Sequence, residues 1–211
     1  MIPNKNVDSK KLSRKQREQE FRKQAILEAA QEVFLREGYH KATMSQIASR
    51  AEFGMGTIYQ FFSNKQSLFT KIILNRVEGF MQGLKEFLAT KFTGKDQLRL
   101  FIEYKVNQIE LTPEFQKLFM EIFYIQQPDI ASKIINRLIV LHSENMQIIQ
   151  DIFGRINQED NYNFDPELMA LTVLGVLNQI ANDWYLGLLS KSPAEYIPGI
   201  MDGIFGGKNS E

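Results

Sequence analysis

Residues 43–65 read TMSQIASRAEFGMGTIYQFFSNK, and the architecture is decided there. Thr43-Met44-Ser45-Gln46 has the form of a capping box, in which a hydroxyl and a glutamine three residues on satisfy each other's exposed N–H groups at a helix start. A helix of about two turns follows, with Ile47, Ala48 and Ala51 on its inner side. Phe53-Gly54-Met55-Gly56 interrupts it, and Thr57 to Phe62 forms a second short helix. Ser63-Asn64-Lys65-Gln66 then opens a long helix reaching about Lys91. Two short helices joined by a glycine-containing turn, between longer helices, meet the physical requirements of a helix that enters a DNA groove.

Upstream, apolar residues repeat at three and four from near Ser13 through Phe21, Ala25, Leu27 or Ile26, Ala29, Ala30, Val33 and Phe34, and the pattern stops at Gly38. This predicts a first helix ended by glycine. Downstream, Thr112-Pro113-Glu114, Asp165-Pro166-Glu167 and Ser192-Pro193-Ala194-Glu195 each place a cap, a proline and an acid in the order that favours a helix start. Helices are therefore expected near 96–111, 114–126, 129–157, 166–190 and 193–206. No stretch of two-residue alternation competes, and there is no internal repeat. The expected fold is all-α, with about nine helices. Its parts are a disordered basic arm at 1–12, a helix-turn-helix domain at 13–69 and a larger helical domain at 70–211.

The chain has 211 residues with 25 Lys and Arg against 25 Asp and Glu, 0 Cys and 2 His. No disulfide, thiolate metal site or cysteine nucleophile is available, and a reducing compartment fits. The zero net charge hides a division: residues 1–70 hold 12 Lys and Arg against 7 Asp and Glu, and 71–211 hold 13 against 18. A surface for polyphosphate belongs in the first part. His40 and His142 fall in different parts, and no Gly-x-Ser-x-Gly, HExxH or paired-carboxylate motif is present. No catalytic residue, metal site or cofactor is assigned. Gly54-x-Gly56 is not a dinucleotide loop, because Tyr59 stands where a third glycine is needed and no strand precedes it. Lys5, Lys10 and Lys11 in a segment without an apolar core argue against a secretory signal, and no apolar run approaches the ~20 residues of a membrane span. A cytoplasmic location with no membrane association is expected.

The Thr43 start, the Ile47-Ala48 pair, the Gly56-Thr57-Ile58-Tyr59 core, the Phe61-Phe62 pair and Ser63-Asn64-Lys65 together resemble the DNA-binding motif of TetR-family transcriptional repressors. The resemblance is strong from Phe21 to Leu74. It implies a double-stranded DNA operator as partner. Thr43 and Ser45 would lie where hydroxyls and unsatisfied N–H groups suit a phosphate. Gly56 would permit close approach, while Met55, Thr57 and Gln60 project from the recognition helix. Tyr59 and Lys65 resemble the family's phosphate-contacting tyrosine and lysine. Phe61 stands where His or Tyr is frequent and lacks their hydrogen bond. Met55 suits a thymine methyl better than a polar base edge.

In the second part, Ile135, Leu138, Met146, Ile149, Ile152, Phe153 and Ile156 share one helical arc with His142 and Asn145 inside it. Buried polar groups need partners, so these two either bond within the core or face a ligand. Lys105 and Gln108 interrupt the apolar face of 96–111, and Trp184 lies on the apolar side of 166–190. The resemblance implies that Lys105, Gln108, His142, Asn145 and Trp184 line an effector pocket, for an apolar or amphipathic molecule given 16 Phe and 8 Met. A snorkelling Lys105 stem and a plain core histidine are the alternatives. The helix at 166–190 is apolar around more than half its circumference, and the resemblance implies a homodimer through the last two helices. Effector binding would then tilt the long helix after Lys65 and separate two reading heads on a pseudo-palindrome. A helical protein-interaction module, and an activator with the same DNA-binding fold, are the competing readings.

Overall fold

The computed structural model describes residues 13–89, 92–111 and 128–206. The arm at 1–12 and the helix expected at 114–126 lie outside them. Among the described residues every regular element is helical, and no helix is long and apolar enough to cross a membrane. The chain forms two compact units, 1–72 and 73–211.

The first unit begins with α1 (Arg14–Lys41), started by a capping box between Ser13 and Gln16. Ile26, Leu27, Ala29, Ala30, Val33 and Phe34 form its buried face. Phe21, expected on that face, is 73% exposed. Gly38 takes φ 77° and ψ 161°, so the helical path breaks there as the sequence suggested, yet hydrogen bonding resumes as far as Lys41. Only glycine adopts that backbone without strain. The short helices α2 (Met44–Ala51) and α3 (Met55–Phe61) follow, then α4 (Lys65–Leu88). Phe34 meets Phe69 edge-on at 5.4 Å, and Tyr39 meets the same ring at 4.7 Å. With Ile47, Ile58 and Leu68 fully buried beside them, these rings form one small core. Each such side chain contributes roughly 1.5–3 kcal/mol.

The second unit holds the rest of α4, then α5 (Gly94–Leu111), α6 (Pro128–Asp160), α7 (Pro166–Tyr185), a 3-10 turn at Pro193–Tyr196 and α8 (Ile197–Phe205). Its core joins Met81 and Leu84 of α4, Leu98, Phe101, Ile102 and Val106 of α5, Ile149 to Ile156 of α6, Val173 to Leu177 of α7, and Met201 of α8. The cap at Asp165 forms as its sequence suggests, the carboxylate accepting from the Glu167 and Leu168 N–H groups. Two helix ends differ from expectation. α7 stops at Tyr185 and not near 190, because Gly187 turns left-handed at φ 68° while its own N–H reaches the Trp184 carbonyl and the Leu188 N–H reaches Asp183. The segment at 193–206 starts as a 3-10 turn, and only 197–205 is α-helical. Between α6 and α7, Asn157 bonds both to the carbonyl and to the N–H of Phe164 at 2.9 and 3.0 Å, fixing the connecting loop.

Candidate nucleic-acid interface

The N-terminus of α2 is built by a reciprocal pair. The Gln46 N–H donates to Thr43 Oγ1 at 3.2 Å, and the Thr43 N–H and hydroxyl donate to Gln46 Oε1 at 2.8 and 2.9 Å. Thr43 and Ser45 are both exposed. A helix leaves its first N–H groups without intrahelical acceptors, and the box accounts for that of Gln46 but not those of Met44 and Ser45.

The turn between the short helices does not rest on glycine. Glu52 holds the left-handed conformation at φ 58°, ψ 32°, its N–H bonding to Ser49 O while the Phe53 N–H bonds to Ala48 O. This is the paired-bond helix ending that glycine usually makes. Gly54 instead caps α3 in extended backbone, accepting from the Thr57 and Ile58 N–H groups. No atom lies near where a Cβ on Gly54 or Gly56 would stand. Their lack of a side chain keeps that surface flat rather than relieving an internal clash.

One side of α3 is anchored and the other is open. Ile58 is fully buried and Phe62, just past the helix, is buried too. Met55, Gly56, Tyr59 and Gln60 are exposed, with Tyr59 at 51%, while Thr57 and Phe61 are half-buried. A methionine, a phenol and an amide therefore stand together on a short helix held from behind by its isoleucine. A phenol O–H and an amide can hydrogen-bond phosphate or base edges, and a thioether can cover a thymine methyl.

Lys65 is placed differently from the outward, phosphate-facing ammonium expected. Its Nζ donates to the carbonyls of Tyr39 at 2.7 Å, His40 at 3.1 Å and Ala42 at 2.9 Å, and lies 4.6 Å from the Tyr39 ring centroid. These carbonyls belong to the end of α1, where a cation also meets the negative end of the helix dipole. The residue binds the start of α4 to the bend before α2. Sequence spacing gave no sign of this, since the partners lie more than twenty residues away.

The five residues expected around an effector have different surroundings in the structure. Asn145 is buried, its Nδ2 donating to the Leu141 carbonyl at 2.8 Å and its Oδ1 without a partner. His142, on the same helix, is exposed, which removes it from the inward arc. The arc is offset near the start of α6, where Ile134 is fully buried and Ile135 is exposed, while Ile149, Ile152, Phe153 and Ile156 face the core as expected. Trp184 is half-buried. Gln108 accepts from Arg76 Nη2 at 3.0 Å. Lys105 lies beneath the aromatic cluster, its ammonium 4.8 Å from the Phe80 centroid. The residue is half-buried, and burial pushes its ammonium down from 10.5 to about 8. Sequence reasoning missed Gly83, whose added Cβ would stand 2.2 Å from the Tyr104 hydroxyl. That hydroxyl donates to the Phe80 carbonyl at 3.1 Å.

Comparison with known proteins agrees with this geometry. Residues 26–72 match the family described as bacterial regulatory proteins, tetR family. An HTH-type transcriptional activator, FasR, of Mycolicibacterium smegmatis is 32% identical over 113 residues, 54% of this chain and 52% of that protein. The chain thus spans about half the length of that relative. An uncharacterized HTH-type transcriptional regulator of Bacillus subtilis, YhgD, is 30% identical over 174 residues, 77% of this chain and 84% of its own length. Among solved structures, the regulator FadR from Bacillus subtilis in complex with stearoyl-CoA superposes with a TM-score of 0.60 at 20% identity, covering 85% of this chain and 95% of that one. With a helix-turn-helix matched from α1 into α4 and a relative aligned along most of its length, this chain belongs to the tetR family of bacterial regulatory proteins.

Proposed function

We propose that the protein is a ligand-responsive repressor, acting in the cytoplasm, that binds a pseudo-palindromic operator as a dimer and is released by a small apolar or amphipathic effector. The observation that carries the DNA part is the split of α3 into a buried Ile58 side and an open Met55, Tyr59 and Gln60 side. Thr43, Ser45 and Tyr59 contact phosphate in this reading, and Met55, Gly56, Thr57 and Gln60 approach base edges. Phe61 supports the helix from its half-buried position. Lys65 acts by holding α4 to the end of α1.

The effector part is supported by the polar groups enclosed in the second unit, Lys105 and Asn145, and by the stearoyl-CoA held by the similar Bacillus subtilis regulator. Dimerisation is supported by the outer side of α7, where Leu168 and Leu171 are 58% and 51% exposed beside Gly175. Coupling between effector and operator equals the difference in effector affinity between the two states. A preference of about 1–3 kcal/mol weakens operator binding about 5- to 150-fold, and DNA weakens the effector by the same factor.

The deciding experiment is selection of sheared genomic DNA on the purified protein at about physiological salt, followed by sequencing. A recovered palindrome that the Tyr59→Ala and Gln60→Ala variants no longer select supports the reading. Recovery of nothing specific moves the protein-interaction alternative forward. The name of the mycobacterial relative favours a second outcome, activation. A reporter behind the recovered site separates the two, since loss of the protein raises expression for a repressor and lowers it for an activator.

A further inference from the structure

Lys105 is a half-buried cation. Among the described residues no carboxylate and no hydrogen-bond acceptor meets its ammonium, and its close neighbour is the face of Phe80 at 4.8 Å. Burial lowers its proton affinity, and no charge among the described residues opposes that. Around it the wall is aromatic: Tyr104 stands 5.3 Å from Phe80 and 5.6 Å from Phe87, centroid to centroid. Gln108, three residues along α5 and therefore on the same side, holds the Arg76 guanidinium at 3.0 Å. Two cationic groups thus share one stretch of α5 next to three rings.

A buried charge is retained at low cost only when paired. We propose that the ammonium of Lys105 is the counter-charge for the head group of an amphipathic anion, whose carboxylate or phosphate oxygen rests on Lys105 while its apolar tail runs along Phe80, Tyr104 and Phe87. The inference rests on the effector-responsive reading above and adds to it the sign of the effector's charge and the residue that reads it. Lys105 is then a specificity residue: it separates acids from neutral molecules of equal length.

The test uses the full chain with three twelve-carbon probes, dodecanoate, dodecyl phosphate and dodecan-1-ol, in titration calorimetry at pH 7. The wild type should bind at least one anion ten-fold or more tightly than the alcohol, and the tighter of the two anions tells whether carboxylate or phosphate is the head. Lys105→Met should abolish that difference, and Lys105→Arg should keep it. A thermal midpoint of Lys105→Met no lower than that of the wild type shows that lost binding is not lost folding. Equal binding of acid and alcohol by the wild type, or undiminished anion binding by Lys105→Met, overturns the proposal. The recovered operator separates this failure from that of the broader reading. Release by dodecan-1-ol alone leaves ligand-responsive repression standing and removes the anion. Indifference of both binding and operator release to all three probes counts against both.

Discussion

At the residue scale, two side chains are held in places that cost folding energy. Glu52 occupies the left-handed region at φ 58°, which costs a residue with a Cβ roughly 1–2 kcal/mol, partly offset by its smaller entropy loss relative to glycine. Glu52→Gly is therefore expected to stabilise the protein by up to about 1 kcal/mol, and Glu52→Val to destabilise it, as read from urea midpoints. Lys105 is the second case. Its folded value of about 8 lies below the ordinary 10.5, so between these values the unfolded chain binds more protons and stability rises with pH. Below about pH 8 the full cost is present. Lys105→Met should stabilise the free protein by about 1–3 kcal/mol at pH 7. The gain should shrink on going to pH 9.5. Tyr104, on the same stretch of α5, has its phenol raised by burial above its ordinary 10.0. Lowered stability of Lys105→Met at pH 7 would show that the ammonium has a favourable partner.

At the element scale, close approaches decide which helices can pack. A Cβ on Gly94 would stand 2.6 Å from Ile156 Cγ1 and 3.0 Å from the Ile156 N atom, and the Gly94 N–H donates to Glu159 Oε2 at 2.7 Å. Because one obstacle is backbone, Gly94→Ala must push α5 away from α6, and a loss of about 1–3 kcal/mol is expected. Gly83→Ala meets the Tyr104 hydroxyl and the ring carbon that carries it, both side-chain atoms, and can be relieved by that ring turning aside, so it should disturb the aromatic wall more than the fold. Lys65→Met removes three charge-assisted hydrogen bonds from the end of α1. It should cost about 2 kcal/mol and speed amide exchange at Ala42 and through α2. A lysine acting only on phosphate would leave exchange in the free protein unchanged. These elements also show where sequence was informative. Thr43 with Gln46, and Asp165 with Pro166, announce helix starts because caps are made by neighbours in the chain, and Ile58 amid polar residues tells which side of α3 turns inward. The grip of Lys65 and the exposure of His142 depend on residues far along the sequence. The early end of α7 was written locally at Gly187, but the apolar residues around it concealed the glycine's role.

At the scale of the whole molecule, charge and apolar surface are distributed for two different partners. The basic excess lies in residues 1–70 and the acidic excess in 71–211, so attraction to DNA is carried by the first part. The second part carries exposed apolar residues on α7, Leu168, Leu171 and Val176, with the buried Ala170, Val173, Leu174 and Leu177 on the opposite side. A helix apolar on both sides burdens a monomer with exposed hydrocarbon, and in the proposed dimer a second copy related by a twofold axis would cover the same row on each chain. Gly175 lies in that row with no atom near a would-be Cβ, which lets two helices approach closely. If this row is the proposed dimer interface, the Leu168→Glu, Leu171→Glu double variant should sediment as a monomer and the wild type as a dimer, with helical circular dichroism retained because neither leucine belongs to the core. Loss of the dimer leaves one reading head per molecule. The slope of log operator affinity against log salt should fall to about half, since the phosphates neutralised are halved and each contributes about 0.9. A double variant that stays dimeric places the interface elsewhere, and an unchanged salt slope in a true monomer shows that a single head accounts for all the phosphate contacts.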